Sequence, residues 1–105
     1  MKINPLTYSL IFIAAKPYFN DIYQLIGVHW KELARKLGFE QTAIDTIFSI
    51  DPRNANEQCS NMLNFHQLKS GNSFTKLQLV KALISAGLRE VAETCNLYKI
   101  VDLNH

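Results

Sequence analysis

The chain has 105 residues, of which 48% are hydrophobic and 19% charged, a composition that excludes an intrinsically disordered protein. This length suits one domain rather than two. Eleven basic residues against nine acidic ones give a net charge of +2, too balanced to indicate nucleic-acid binding by itself. The two cysteines, Cys59 and Cys95, form no CxxC pair and there is no Asn-x-Ser/Thr sequon. We therefore expect a reducing, cytoplasmic setting.

The first sixteen residues stand apart from the rest of the chain. Asn4 followed by Pro5 is a good helix opening, and we predict an extra N-terminal helix within residues 1–16, running to Ala15. The alternative is a weak signal peptide, with a basic start, an apolar run and small residues at its end. We favour the helix. The segment is too short to span a bilayer, which needs about 20 apolar residues.

The first core helix is predicted to begin at Pro17 and to end at Gly27, because proline favours the first helical turn and glycine the end. Its apolar stripe has the spacing of one helical face and consists of Tyr18, Ile22, Leu25 and Ile26. The second core helix lies in residues 29–39, HWKELARKLGF, with Gly38 placed for a left-handed C-cap. Its apolar face, which we expect in the core, consists of Trp30, Leu33, Ala34 and Leu37.

Four more helices follow. The third begins at about Gln41 and stops before Pro52, with an inward face of Ile44, Ile47 and Phe48. The fourth is capped by Asn54, and its inward positions are Ala55, Cys59, Met62, Leu63 and His66. Thr75 and Gln78 have capping-box spacing for the fifth, whose apolar face is Leu79, Val80 and Leu83. The sixth begins at about Leu88, and its inward positions are Val91, Ala92 and Cys95.

The sequence therefore predicts an all-α protein. Residues 17–96 form a six-helix antiparallel bundle, which the extra helix of residues 1–16 precedes. Residues 97–105 form a C-terminal tail that either continues the last helix or frays. Helices this short are marginal alone in water, so each must be held by packing of its apolar stripe.

The order of these signals resembles the death domain, the six-helix interaction module of apoptotic and innate immune signalling. The resemblance spans residues 17–94, and WKELARKLG in the second helix is its most specific part. The matching positions after Gly38 are Ile44, Asp45, Ile47, Pro52, Glu57, Gln58, Met62, Leu63, Leu79, Ala82, Leu83, Gly87, Val91 and Ala92. Two residues depart from the family pattern. His66 stands where a tryptophan is usual, and Glu40 stands where Ser or Thr usually caps the third helix.

The resemblance implies a non-enzymatic module that binds other death domain proteins homotypically, including by self-association into oligomers. It implies no cofactor, metal, small-molecule substrate, nucleic acid or membrane insertion. Such domains assemble through charged surfaces, with the second and third helices of one copy meeting the first and fourth of another. The candidate partner-binding residues are Lys31, Arg35, Lys36, Asp45, Asp51, Glu57, Phe65, Lys69, Arg89 and Glu90, with Asp21 as a further acidic candidate.

Several alternatives stay open at this point. Lys31, Arg35 and Lys36 form either a solvated face or a docking surface. Phe65, together with Phe74, marks a contact patch if both are exposed, and Arg89 and Glu90 are candidates for a second contact with residues 69–72 of a neighbour. Residues 28–50 also resemble a helix-turn-helix, although residues 41–50 contain no Lys or Arg.

His66, Cys59 and Cys95 are interpreted as core residues, because a nucleophilic cysteine needs an oriented base and a zinc site needs three or four ligands. The sequence does not distinguish a whole adaptor from one domain of a larger protein.

Overall fold

The computed structural model describes residues 13–95 and Leu97. The helices in that part are α1 Phe19–Ile26, α2 Trp30–Lys36, α3 Gln41–Ile50, α4 Ala55–Ser70, α5 Lys76–Ser85 and α6 Arg89–Thr94. Short 3₁₀-helices precede α1, α2 and α5 and span Lys16–Tyr18, Gly27–His29 and Gly71–Ser73. Among the described residues there is no strand beyond one isolated bridge. The predicted all-α fold is confirmed.

Residues 13–15 form bends around an isolated bridge rather than a helix, so the predicted N-terminal helix is wrong at its end. Ala14 forms an antiparallel bridge with Thr75. The Ala15 N–H donates to the carbonyl of Phe74 at 3.1 Å, and the Lys76 N–H donates to the carbonyl of Ile13 at 2.7 Å. This pairing satisfies the backbone N–H of Lys76 at the start of α5, which has no partner within its own helix. Residues 4–12 of the predicted helix, and the signal-peptide alternative, lie outside the described residues.

The predicted caps of α4 and α5 are confirmed. Asn54 Oδ1 accepts from the backbone N–H of Glu57 at 3.0 Å, and Thr75 Oγ1 accepts from that of Gln78 at 3.2 Å. Glu40 makes no side-chain cap bond at the start of α3, as its poor fit to the position predicts. Gly38 has a φ of +98° after α2, a left-handed conformation that favours glycine at a helix end.

The core lies around α4, which packs against α1, α2 and α3, while α6 packs against α1 and α5. Trp30 is buried as predicted, and so are the predicted inward residues of α4 and α5, except Ala55, which is half-buried. The stripe predicted for α1 is partly wrong, because Leu25 is 49% exposed and Phe19 is buried in its place. The buried set is Ala15, Phe19, Ile22 and Ile26, in which Phe19, Ile22 and Ile26 share one face of α1.

Two aromatic residues also differ from expectation. Phe48 is exposed rather than inward, and its ring lies under the ammonium group of Lys31. Phe74 is buried, because its ring packs against those of Phe19 and His66, with centroids 5.4 and 4.4 Å away. A contact patch that includes Phe74 is therefore wrong. Leu97, assigned to the tail, is also buried, and the rest of the tail lies outside the described residues.

Candidate protein-binding surfaces

A row of four polar side chains crosses from α2 to α3 on the surface. Arg35 Nη1 donates to Glu32 Oε1 at 2.8 Å, and Arg35 Nη2 donates to Gln41 Oε1 at 3.2 Å. Gln41 Nε2 in turn donates to Asp45 Oδ1 at 2.9 Å. We call these four residues the α2–α3 ladder. It brings Arg35 and Asp45, two of the predicted partner-binding residues, onto one surface.

The two lysines of α2 lie on the same part of the molecule. The Lys31 ammonium is 4.3 Å from the centroid of the Phe48 ring on α3, a cation–π contact. Lys36 is exposed in the last turn of α2. Both cations remain available to a carboxylate, because neither has an ion-pair partner among the described residues.

The face formed by α2, α3 and the turn between them has balanced charge. Residues 30–50 contain three basic side chains, Lys31, Arg35 and Lys36, and three acidic ones, Glu32, Glu40 and Asp45. The side chains of Arg35 and Glu32 are 42% and 57% exposed, and their pairing neutralises part of the predicted basic group. The surface is therefore mixed in sign rather than basic.

The remaining acidic candidates lie on other elements. Asp51 is half-buried at the end of α3, and its carbonyl accepts from Gln58 Nε2 at 2.7 Å. Glu57 is exposed in the first turn of α4. Asp21 is exposed in the first turn of α1, a helix that packs against α4. These carboxylates, unlike Asp45, are not part of the α2–α3 ladder.

An open groove of about 370 Å³ lies between the α2–α3 turn and the second half of α4. Phe65 lines this groove and is 44% exposed, in agreement with its predicted outward orientation. Lys69 also lines the groove and is exposed. The sequence did not indicate the opposite wall, because it is formed around the turn between α2 and α3, where helical periodicity is interrupted. That wall consists of Leu37, Gly38, Phe39, Glu40 and Ala43.

His66 forms the floor of this groove and is nearly buried. Its ring meets that of Phe74 edge-on and lies 5.8 Å from that of Phe39, centroid to centroid. Burial lowers the pKa of His66, the nearby charge of Lys69 lowers it further, and a hydrogen bond with Gln78 acts in the opposite direction. The imidazole is therefore a core group, as predicted.

Arg89 and Glu90 are exposed at the start of α6. Glu90 lines a second open groove, whose other wall includes His29 and Glu32. The structure thus places Glu90 near the start of α2. Lys69, in contrast, lies in the last turn of α4. A contact between Arg89 or Glu90 and residues 69–72 of a neighbour stays a prediction.

The cysteine thiols are poorly suited to nucleophilic or metal chemistry. Burial raises the pKa of Cys59 to about 12. Burial and the nearby carboxylate of Asp21 raise the pKa of Cys95. Both therefore stay protonated near neutral pH. Residues 13–95 also contain no group of three or more His, Cys, Asp or Glu side chains arranged to hold a metal ion.

None of the helices among the described residues has both the length and the apolar character needed to cross a bilayer.

The described residues form a bundle of short helices whose exposed faces carry paired and unpaired charges. In a comparison with protein families, the model described as Death domain matches residues 16–99. The chain belongs to the death domain family, whose members are interaction modules rather than enzymes. No curated protein is significantly similar to the chain.

Proposed function

We propose that the chain recruits other death domain proteins, including further copies of itself, into cytoplasmic assemblies that act in apoptotic or innate immune signal transduction. The α2–α3 face is the observation that carries this proposal. It presents charges of both signs on two helices that the ladder from Glu32 to Asp45 connects. Surfaces of this kind determine partner choice and association rate more than affinity.

The proposed mechanism is proximity. An exposed ion pair contributes only about 0–1 kcal/mol, so one contact through this face is weak. Several weak contacts in one assembly raise the effective concentration of whatever each copy carries. A module of this kind needs no catalytic group. Cys59 and His66, two residue types that can serve in catalysis, are buried in the core.

No structural observation favours the helix-turn-helix alternative. The helix that would enter the groove of DNA is α3, Gln41–Ile50, which contains no Lys or Arg. Arg35 on α2 already donates to Glu32 and Gln41. Few phosphate contacts are left to such a domain. A gel shift on mixed-sequence duplex at low salt would restore this alternative.

The test reverses two charges of the α2–α3 face, Arg35→Glu with Lys36→Glu. Self-association is measured by sedimentation velocity, and partner capture is measured by pull-down with the immobilised chain. We expect assembly to be lost while the helical circular dichroism spectrum stays unchanged, because both side chains are exposed. Unchanged assembly would remove this face from the interface.

The matched control is Lys16→Glu with Lys81→Glu. It makes the same change in net charge, and both lysines are exposed outside the α2–α3 face. We expect the control to assemble like the wild type. An equal loss in both variants would indicate a general effect of net charge rather than a docking surface.

A further inference from the structure

Arg35 and Glu32 form the single ion pair among residues 13–95, with Nη1 and Oε1 2.8 Å apart. The two residues are three positions apart on α2, so they meet on one helical face. Both side chains are about half exposed. A partner that uses Arg35 therefore meets a guanidinium whose charge a neighbour in the same chain already compensates.

We propose that Glu32 is an internal competitor for Arg35, and that a carboxylate of a second copy displaces it when two copies dock. This inference rests on the proposed homotypic assembly. It identifies Glu32 as a residue that weakens the contact between two copies. Glu32 holds Arg35 in the free monomer. In the assembly, the carboxylate of the second copy takes over the contact with Nη1, and Glu32 turns to solvent.

The charges of the chain favour a second copy as the occupant. Asp21 and Glu57 are exposed carboxylates on α1 and α4, away from the ladder, so one copy carries both the cation and its possible partners. Lys36, next to Arg35 in the sequence, adds a second exposed cation. Displacing Glu32 therefore frees the charge of Arg35 for an acidic surface of the neighbour.

The rest of the ladder keeps Arg35 in place during this exchange. Its Nη2 donates to Gln41, and Gln41 also donates to Asp45 on α3. The guanidinium is thus held between two helices even when Glu32 leaves, and the entropy lost on docking is reduced. Because exposed ion pairs are weak, Glu32 lowers the affinity of one contact by roughly 1.5- to 5-fold rather than preventing it.

The experiment is a double-mutant cycle on the whole chain, with wild type, Glu32→Gln, Arg35→Gln and the double variant. The self-association constant is measured by sedimentation equilibrium at fixed ionic strength, and folding is checked by thermal melting. We expect Glu32→Gln to tighten self-association roughly 1.5- to 5-fold, and this gain to vanish in the Arg35→Gln background. Glu32→Ala repeats the test without a side-chain amide.

Glu40→Gln is the matched control, because it removes the same charge from the same face and Glu40 forms no ion pair or hydrogen bond with Arg35. We expect it to change the association constant less than Glu32→Gln does. Assembly that is unchanged or weakened by Glu32→Gln, or a gain that persists without Arg35, would overturn this inference and leave the proposed function standing. If no variant and no wild-type chain assembles, homotypic assembly itself fails, and the inference with it.

Discussion

The indole Nε1–H of Trp30 donates a hydrogen bond of 2.7 Å to Oε1 of Gln58 in the interior of the bundle. Gln58 is only 3% exposed, and its Nε2 donates to the backbone carbonyl of Asp51 at 2.7 Å. One amide side chain of α4 thus satisfies a polar group of α2 and another at the end of α3. The buried tryptophan is fixed in position as well as packed.

We expect Gln58→Leu to destabilise the fold by roughly 1–3 kcal/mol, because it leaves the buried indole N–H without an acceptor. The free energy of unfolding from urea titration measures the loss. Gln24→Leu is the control, since Gln24 is exposed on α1 and a change there stays within about 0.5 kcal/mol. Equal effects of the two substitutions would show that the Trp30–Gln58 bond contributes little.

The buried histidine predicts a pH dependence of stability. The pKa of His66 is lower in the folded chain than its ordinary value, chiefly because of burial. The unfolded state therefore binds the proton more readily, and stability falls as pH drops through the ordinary histidine range toward the folded pKa. We expect the urea midpoint of the wild type to decrease between pH 7.5 and pH 5.5.

His66→Phe removes this titration and keeps an aromatic ring against Phe74 and Phe39. We expect the difference in unfolding free energy between this variant and the wild type to change in the variant's favour as the pH falls. Every other residue of the groove, including Glu40 and Lys69, is the same in both proteins, so the comparison isolates the substitution at position 66. A difference that is constant with pH would exclude His66 as the source.

The helices were predictable because their signals are local. The period of Trp30, Leu33 and Ala34 identifies the buried face of α2, and Asn54 and Thr75 identify two helix starts. Contacts between segments that are distant in the sequence leave no comparable local pattern. Periodicity does not show which face of α3 meets α2, so the ladder from Arg35 to Asp45 could not be predicted. The pairing of residues 13–15 with 74–76 depends on backbone groups, whose partners side-chain patterns do not reveal.

Phe74 and Phe65, which the sequence associated with one patch, should differ in how much their replacement by alanine destabilises the fold. Phe74→Ala removes a ring that packs against Phe19 and His66, and we expect a loss of about 3–5 kcal/mol. Phe65→Ala removes a ring that is about half exposed at the groove, and we expect a loss of about 1 kcal/mol or less. Urea titration of both variants checks the difference, and similar losses would contradict the placement of Phe74 in the core.

In the segment before α1, the backbone N–H of Ala15 is expected to contribute to stability. Ala15 is fully buried with a φ of −77°, which proline also adopts, and its N–H donates to the carbonyl of Phe74. Ala15→Pro removes that donor and adds ring atoms at a packed position. We expect destabilisation of roughly 1–3 kcal/mol, measured as a lower urea midpoint.

Ala14→Pro is the control for this substitution. Ala14 is exposed, and the hydrogen bonds that hold the segment use the Ile13 carbonyl and the Ala15 amide rather than the Ala14 N–H. Proline also favours extended backbone in the residue before it, which suits the bridge to Thr75. We expect Ala14→Pro to cost less than Ala15→Pro. The reverse order would show that the pairing with residues 74–76 does not stabilise the start of α5.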